Sequence, residues 1–138
     1  MVGIVVATHG RLAEELLSTA EGIVGVLPQA RPVSIGADAS MEEQRARLGE
    51  AIQAVDSGDG VLVLTDMFGG TPTNLAMSLL DPGRIEVVTG VNLPMLIKFA
   101  NLRGDGTLHE VAKRLAAQGR DSIQSASDLL EGGPGAGR

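Results

Sequence analysis

The chain has 138 residues, enough for one domain, and its 43% hydrophobic and 20% charged residues are ordinary for a globular protein. A formal net charge of −6, two Phe, no Tyr and no Trp argue against nucleic-acid binding, which requires basic surfaces and aromatic platforms. We find no membrane span, no signal peptide, no Cys and only two His. We therefore expect a cytoplasmic protein with no disulfide, metal, cofactor or membrane insertion.

Short apolar runs rich in β-branched residues alternate along the chain with longer segments of helical periodicity. The runs typical of strands are Val2–Ala7, Pro32–Ile35, Gly60–Thr65 and Ile85–Thr89. Apolar residues spaced by three and four predict two helices between the first three runs. Their stripes are Leu12, Leu16, Ala20, Ile23 and Leu27 in the first helix, and Met41, Leu48, Ile52 and Val55 in the second.

Three later helices carry start signals. Thr71 is predicted to cap a helix whose first residue is a proline, and Asn92 is predicted to cap one with a proline in its first turn. Thr107, followed three residues later by Glu110, predicts a capping box.

This alternation predicts an α/β fold, a single doubly wound and mainly parallel sheet with helices on both faces. The common strand order for such a sheet is 2-1-3-4. We expect the domain to cover residues 1–130 and the Gly-rich tail, residues 131–138, to be disordered. The segment Asp121–Ser127 alternates roughly as a strand does, yet it could equally extend a helix.

Polar and ionisable residues lie at the carboxyl ends of the first and third strands, where open α/β sheets bind their ligands. The first strand ends in Thr8-His9-Gly10, and Asp66 follows the third. With the order 2-1-3-4 these strands are neighbours, so His9 and Asp66 would lie side by side. The carboxylate would then fix one ring N–H and leave the other nitrogen as a nucleophile.

The loop after the third strand adds an anion site. Its two glycines allow close approach of the backbone, and the helix that starts at Thr71 directs unpaired N–H groups outward. A nucleophilic histidine beside an anion site indicates phosphoryl transfer through phosphohistidine. We expect the phosphoryl-binding residues to be Thr8, Gly10, Gly69, Gly70 and Thr71.

Each of these features also has a purely structural interpretation. A histidine at a strand end can serve packing, an Asp can begin a loop, and Gly-Gly-Thr-Pro can be a simple turn and cap. Their convergence on one sheet edge favours the functional interpretation. The second histidine, His109, lies in the first turn of an amphipathic helix, and we expect it to be exposed at the surface.

Three segments carry a resemblance to a known family. They are GIVVATHGRLAEELLSTAE (3–21), GVLVLTDMFGGTPTNLA (60–76) and VVTGVNLPMLIKFAN (87–101). The chain resembles the mannose/fructose/sorbose-type enzyme IIA of the bacterial phosphoenolpyruvate-dependent sugar phosphotransferase system. The resemblance implies a phosphorylated histidine at His9, an aspartate partner at Asp66, and contacts to the phosphoryl group from Gly69, Gly70 and Thr71.

The resemblance also implies partners. His9 would accept phosphate from the histidine-containing phosphocarrier protein and pass it to an enzyme IIB component for sugar uptake. The family is implied to form a homodimer in which a C-terminal strand pairs antiparallel with the sheet of the other subunit. That strand would fall at Asp121–Ser127. Because the sequence ends at Arg138, we expect the IIB partner to be a separate protein.

Two other functions compete with the phosphoryl carrier. In a regulatory module, the phosphorylation state of His9 would control a protein partner without sugar transport. A nucleotide-binding flavodoxin-like domain is disfavoured, because neither a Walker A motif nor a G-x-G-x-x-G turn follows the first strand. The sugar cannot be read from the sequence, because specificity would reside in membrane components.

Overall fold

A computed structural model describes residues 1–132 of the chain. The strands are β1 (Gly3–His9), β2 (Ala30–Ile35), β3 (Val61–Thr65) and β4 (Ile85–Thr89). The helices are α1 (Leu12–Val24), α2 (Met41–Val55), α3 (Gly70–Met77), α4 (Leu93–Leu102), α5 (Leu108–Asp121) and α6 (Ala126–Gly132). All four predicted strands are present. β4 has the predicted bounds, and the ends of the other three differ from the predicted ones by at most two residues.

The four strands form one parallel sheet in the order β2-β1-β3-β4, as predicted. The register pairs Ala7 with Thr65, so the carboxyl ends of β1 and β3 meet at one edge. Every residue of β3 is buried, and so is every residue of β1 except His9. Their continuous apolar sequences follow from this position, because central strands of a doubly wound sheet are covered on both faces.

Two hydrophobic cores lie on opposite faces of the sheet. Ile4 and Val6 face the core that α1, α4 and α5 complete, with Phe99 as its largest side chain. Val5 and Ala7 face the core formed with α2 and α3. Side chains that alternate along β1 therefore enter different cores, which confirms that helices cover both faces.

The apolar stripe predicted for α1 is confirmed at Leu16, Ala20 and Leu27, which lie in or against the core, and is wrong at Leu12 and Ile23. Ala13, Leu17 and Ala20 are the buried residues of this helix, whereas Leu12 and Ile23 are exposed. Both stripes fit the helical period. The face with two alanines lets the helix lie closer to the sheet, and close packing favours that face. In α2 the predicted stripe is confirmed except at Met41, which is exposed.

The predicted start of α3 at Thr71 is also wrong. The helix begins at Gly70 with Gly69 as its N-cap, and no side chain caps it. Gly69 and Gly70 have φ values of +87° and +79°, so the chain turns within this pair, and α3 starts from this turn. Only glycine adopts such angles without strain.

The other two start signals are confirmed. The Asn92 side chain accepts a hydrogen bond from the Met95 N–H at 3.2 Å. At α5, Thr107 Oγ1 accepts from the Glu110 N–H at 3.2 Å, and the Glu110 carboxylate accepts from the Thr107 N–H at 3.0 Å. This is the predicted capping box.

The segment Asp121–Ser127 is not a strand in this structure. Helix α5 ends at Asp121, α6 begins at Ala126, and the residues between are irregular. A strand without a neighbour would leave its N–H and C=O groups unpaired, so exchange between subunits requires a second chain and stays a prediction. Helix α6 extends two residues beyond the predicted boundary at 130, and residues 133–138 of the predicted tail lie outside the described residues.

Candidate functional site

His9 and Asp66 form a hydrogen-bonded pair at the carboxyl edge of the two central strands. His9 Nδ1 lies 2.8 Å from Asp66 Oδ2, and the His9 backbone N–H donates to the same oxygen at 3.1 Å. The His9 side chain is 51% exposed and that of Asp66 only 13%. The strand order thus brings together the two side chains that the sequence predicted to be neighbours.

The protonation of this pair follows from its contacts. Burial alone would raise the pKa of Asp66, but the hydrogen bonds from the His9 ring and backbone, and the charge of His9, together lower it below its ordinary value. Asp66 is therefore an ionised acceptor at neutral pH. From this geometry we assign the proton of neutral His9 to Nδ1, which leaves the lone pair on Nε2.

Gly70 lies directly against the His9 ring. A Cβ atom at this position would stand 3.1 Å from His9 Cε1 and 3.3 Å from His9 Nε2. Glycine at this position therefore meets two requirements, the positive φ and the space beside the imidazole. Gly69 has the same backbone requirement, but nothing lies within 4 Å of a Cβ built there.

The first turn of α3 begins beside His9 Nε2. Because no side chain caps this helix, the backbone N–H groups of Gly70 and Thr71 have no capping partner. Unpaired N–H groups at a helix start favour an anion. The start of α3 therefore lies next to the His9 ring.

Thr8 and Gly10, which the sequence predicts to bind the phosphoryl group, form hydrogen bonds within the chain. Thr8 is fully buried, and its hydroxyl accepts from the Ala13 N–H at 2.7 Å and donates to the His9 carbonyl at 3.2 Å. The Gly10 N–H donates to the Ile35 carbonyl at 3.0 Å. Thr8 binds the start of α1, and Gly10 fixes the turn after His9.

Sequence reasoning missed two residues beneath the site, Thr65 and Thr73. Both are buried, and their hydroxyl oxygens are 2.7 Å apart. Thr73 Oγ1 also donates to the Met67 carbonyl at 2.6 Å. The available signal was the occurrence of a hydroxyl at the end of an otherwise apolar strand and another in the following helix.

His109 is far from this site. Its side chain is 71% exposed, and its Nδ1 lies 3.9 Å from Glu86 Oε2, as expected for a surface residue. The neighbouring Leu108 packs against Gly60, which precedes β3, so His109 lies toward the amino ends of the strands. His9 is at the opposite edge.

Within residues 1–132, we find no group of three or more His, Asp or Glu side chains that could hold a metal ion. Over the same residues, no helix is both long and apolar enough to cross a membrane.

Fold and site together define an open α/β protein with a half-exposed histidine, an ionised aspartate and a glycine loop at the edge of its sheet. The family model for the PTS (phosphotransferase system) fructose IIA component matches residues 3–116 of this chain. The chain therefore belongs to that family, as its resemblance to the mannose/fructose/sorbose-type enzymes IIA predicted.

Several known proteins are similar to the chain. The PTS mannose-specific EIIAB component of Escherichia coli K12 is 32% identical over 126 residues, which are 90% of this chain and 39% of that protein. The PTS fructose-specific EIIA component of Bacillus subtilis 168 is 28% identical over 132 residues, covering 95% of this chain and 90% of that protein. The solved mannose/sorbose specific IIA subunit from Enterococcus faecalis superimposes with a TM-score of 0.78 at 33% identity, over 89% of this chain and 92% of that one.

The coverage of these relatives differs. The chain spans about two fifths of the mannose-specific EIIAB protein, whose name joins an A and a B component. It spans most of the fructose-specific EIIA protein. The likeness thus covers the IIA part.

Proposed function

We propose that this chain is a phosphoryl carrier of the phosphoenolpyruvate-dependent sugar phosphotransferase system. His9 accepts a phosphoryl group from the histidine-containing phosphocarrier protein and passes it to an enzyme IIB component during sugar uptake. The observation that carries the proposal is the 2.8 Å contact between His9 Nδ1 and Asp66 Oδ2, because it leaves Nε2 unprotonated at an accessible edge. The family match gives independent support.

Transfer onto His9 needs no proton movement. The Nε2 lone pair attacks the phosphorus, a new N–P bond forms, and the bond from phosphorus to the donor nitrogen breaks and returns its electron pair to the donor. The His9 ring becomes cationic, since Nδ1 keeps its proton. Asp66 stabilises that cation, and the same steps in reverse deliver the group to the acceptor.

The phosphoryl oxygens are held by backbone groups. The N–H groups of Gly70 and Thr71 start α3 without a capping side chain and lie beside the ring. The partial positive charge of the helix start stabilises the negative oxygens as they approach Nε2. Gly69 gives the loop the turn that aims these donors.

Partner proteins dock on the apolar side chains beside the site. Met67 is 53% exposed and Phe68 is 79% exposed, and both belong to the loop that follows Asp66. Two large exposed apolar side chains next to a reactive group are typical of a protein-binding surface. The phosphocarrier protein and the IIB component use this surface in turn.

We further propose that the chain acts in the cytoplasm as a homodimer, with Asp121–Ser127 paired to the sheet of the other subunit. Support comes from the strand order, in which β4 is an edge with no neighbour on one side. Ile123 and Leu130 are exposed apolar side chains in the C-terminal segment. A second chain would cover both the edge and these residues.

Phosphorylation in a reconstituted system tests the proposal. With phosphoenolpyruvate, enzyme I and the phosphocarrier protein, we expect one acid-labile phosphoryl group per chain, which an added IIB component removes. His9→Ala should abolish the label, and His109→Ala should retain it fully. Label that persists in His9→Ala, or wild-type protein that stays unlabelled with competent donors, would overturn the proposal.

A further inference from the structure

The hydroxyl of Thr73 contacts both residues that flank Asp66 in the chain. It lies 2.7 Å from Thr65 Oγ1, on one side of Asp66, and 2.6 Å from the Met67 carbonyl oxygen, on the other. Asp66 is thus the central residue of a three-residue segment whose two ends bind one side chain. That side chain belongs to the first half of α3.

The directions of these two hydrogen bonds follow from the number of protons. A carbonyl oxygen only accepts, so the single hydroxyl proton of Thr73 is used on Met67. Thr73 Oγ1 must then accept from the Thr65 hydroxyl. The result is a continuous chain of donors from Thr65 through Thr73 to Met67, in which each hydroxyl proton has a partner.

A threonine within a helix can bond back to the carbonyl four residues earlier, which would be Gly69. Thr73 instead reaches the strand end and the loop, and both hydroxyls are buried. A buried hydroxyl without its partner would be destabilising, so the two bonds hold the loop firmly.

Asp66 depends on this support. Its Oδ2 binds His9, but its Oδ1 is buried and has no hydrogen-bond partner among the described residues. The hydrogen bonds of Oδ2 to His9 orient the carboxylate, and the backbone of residues 65–67 carries it.

We propose that Thr73 is a positioning residue for phosphoryl transfer. It holds the backbone on both sides of Asp66, so that Asp66 Oδ2 can bind the ring Nδ1 and the backbone N–H of His9 at the same time. This inference rests on the proposed function for its effect on the rate. Thr65, which donates to the Thr73 hydroxyl, contributes to the same positioning. Its backbone carbonyl also accepts from the N–H groups of Gly90 and Val91, each at 2.9 Å, so it joins the loop after β4 to the site.

The test is Thr73→Val, which keeps the shape of the side chain and removes the hydroxyl. We expect phosphoryl transfer to His9 to slow by on the order of tenfold or more, because small displacements of catalytic groups have effects of this size. We also expect the pKa of the Asp66 carboxyl, followed by carbon NMR, to rise toward its ordinary value as the His9 bonds loosen. Thr73→Ser retains the hydroxyl and should restore both quantities to within about twofold of wild type.

A matched control separates positioning from stability. Thr107→Val removes a threonine hydroxyl that caps α5 and should lower the unfolding temperature. It should leave both the transfer rate and the Asp66 titration unchanged. If Thr73→Val does not fold, Thr65→Val serves in its place, because it removes only one of the two bonds and should change both quantities in the same direction.

Two outcomes would overturn the inference. One is a folded valine variant, at 73 or 65, with wild-type rate and wild-type Asp66 titration. The other is Thr73→Ser behaving as Thr73→Val does. The Asp66 titration needs no phosphoryl donor. It therefore tests the effect of Thr73 on Asp66 even if wild-type protein takes up no label and the proposed function fails.

Discussion

One oxygen of Asp66 accepts two hydrogen bonds from His9, from the backbone N–H at 3.1 Å and from the ring Nδ1 at 2.8 Å. The backbone bond fixes where the carboxylate stands, and the ring bond fixes which nitrogen is protonated. Substitution of Asp66 can therefore separate the effect of its position from the effect of its charge.

Asp66→Asn should slow phosphoryl transfer to His9 by at least about tenfold, because the amide can still accept a hydrogen bond but no longer stabilises the cationic ring. Rapid-quench measurement of labelling checks the rate. Asp105→Asn, which removes the same charge from an exposed loop, is the control. Equal rates for Asp66→Asn and wild type would refute the role of the Asp66 charge.

The lowered pKa of Asp66 predicts a specific acid dependence of stability. A carboxyl whose pKa is lower in the folded state than its ordinary value of 3.8 contributes stability that is present above that value and lost as the pH falls through the folded pKa. The free energy of unfolding of wild type, relative to that of Asp66→Asn, should therefore decrease from about pH 5 to pH 3. Urea unfolding of both proteins measures this, and parallel pH curves would contradict it.

Gly70 and Gly69 allow backbone strain to be distinguished from crowding. Alanine at either position must adopt a positive φ, at a cost of about 1–2 kcal/mol of stability. Only at Gly70 does the added methyl group crowd the His9 ring. We expect similar losses in thermal stability but a much larger loss of labelling in Gly70→Ala, and equal labelling of the two variants would argue against the crowding.

Arg103 supports the opposite end of the sheet. Its buried guanidinium donates to the Val2 carbonyl from Nη2 at 2.8 Å and from Nε at 3.1 Å, and it lies 4.8 Å from the centroid of the Phe99 ring. Arg103→Lys cannot reproduce this fork, so it should lower the free energy of unfolding by about 1–3 kcal/mol. Chemical denaturation tests the loss, and labelling of the folded variant should match wild type because His9 is at the far edge.

The strand order and the His9–Asp66 pair could be predicted because both depend on simple rules. Continuous apolar runs identify central strands, and parallel central strands end at a common edge. The orientation of Thr8 was also available from the sequence. Side chains alternate along a strand, so Thr8 points to the face of Ile4 and Val6, under α1, and away from the site.

Other features depend on distances that a sequence does not contain. The bond between Thr65 and Thr73 requires a particular angle between the loop and α3, which the Gly69-Gly70 turn determines. The start of α3 at Gly70 depends on the same turn. The buried face of α1 depends on how closely a helix can approach the sheet, and two faces of its sequence were apolar enough to compete.

The half-exposed ring of His9 limits how the carrier can be used. Gly70 lies close to the nitrogen that would bear phosphate, and about half of the ring surface is open to water. A phosphoryl group on this ring would be open to hydrolysis on its exposed side between encounters with partner proteins. The efficiency of such a carrier would depend on two rates, that of encounter with the next partner and that of spontaneous hydrolysis.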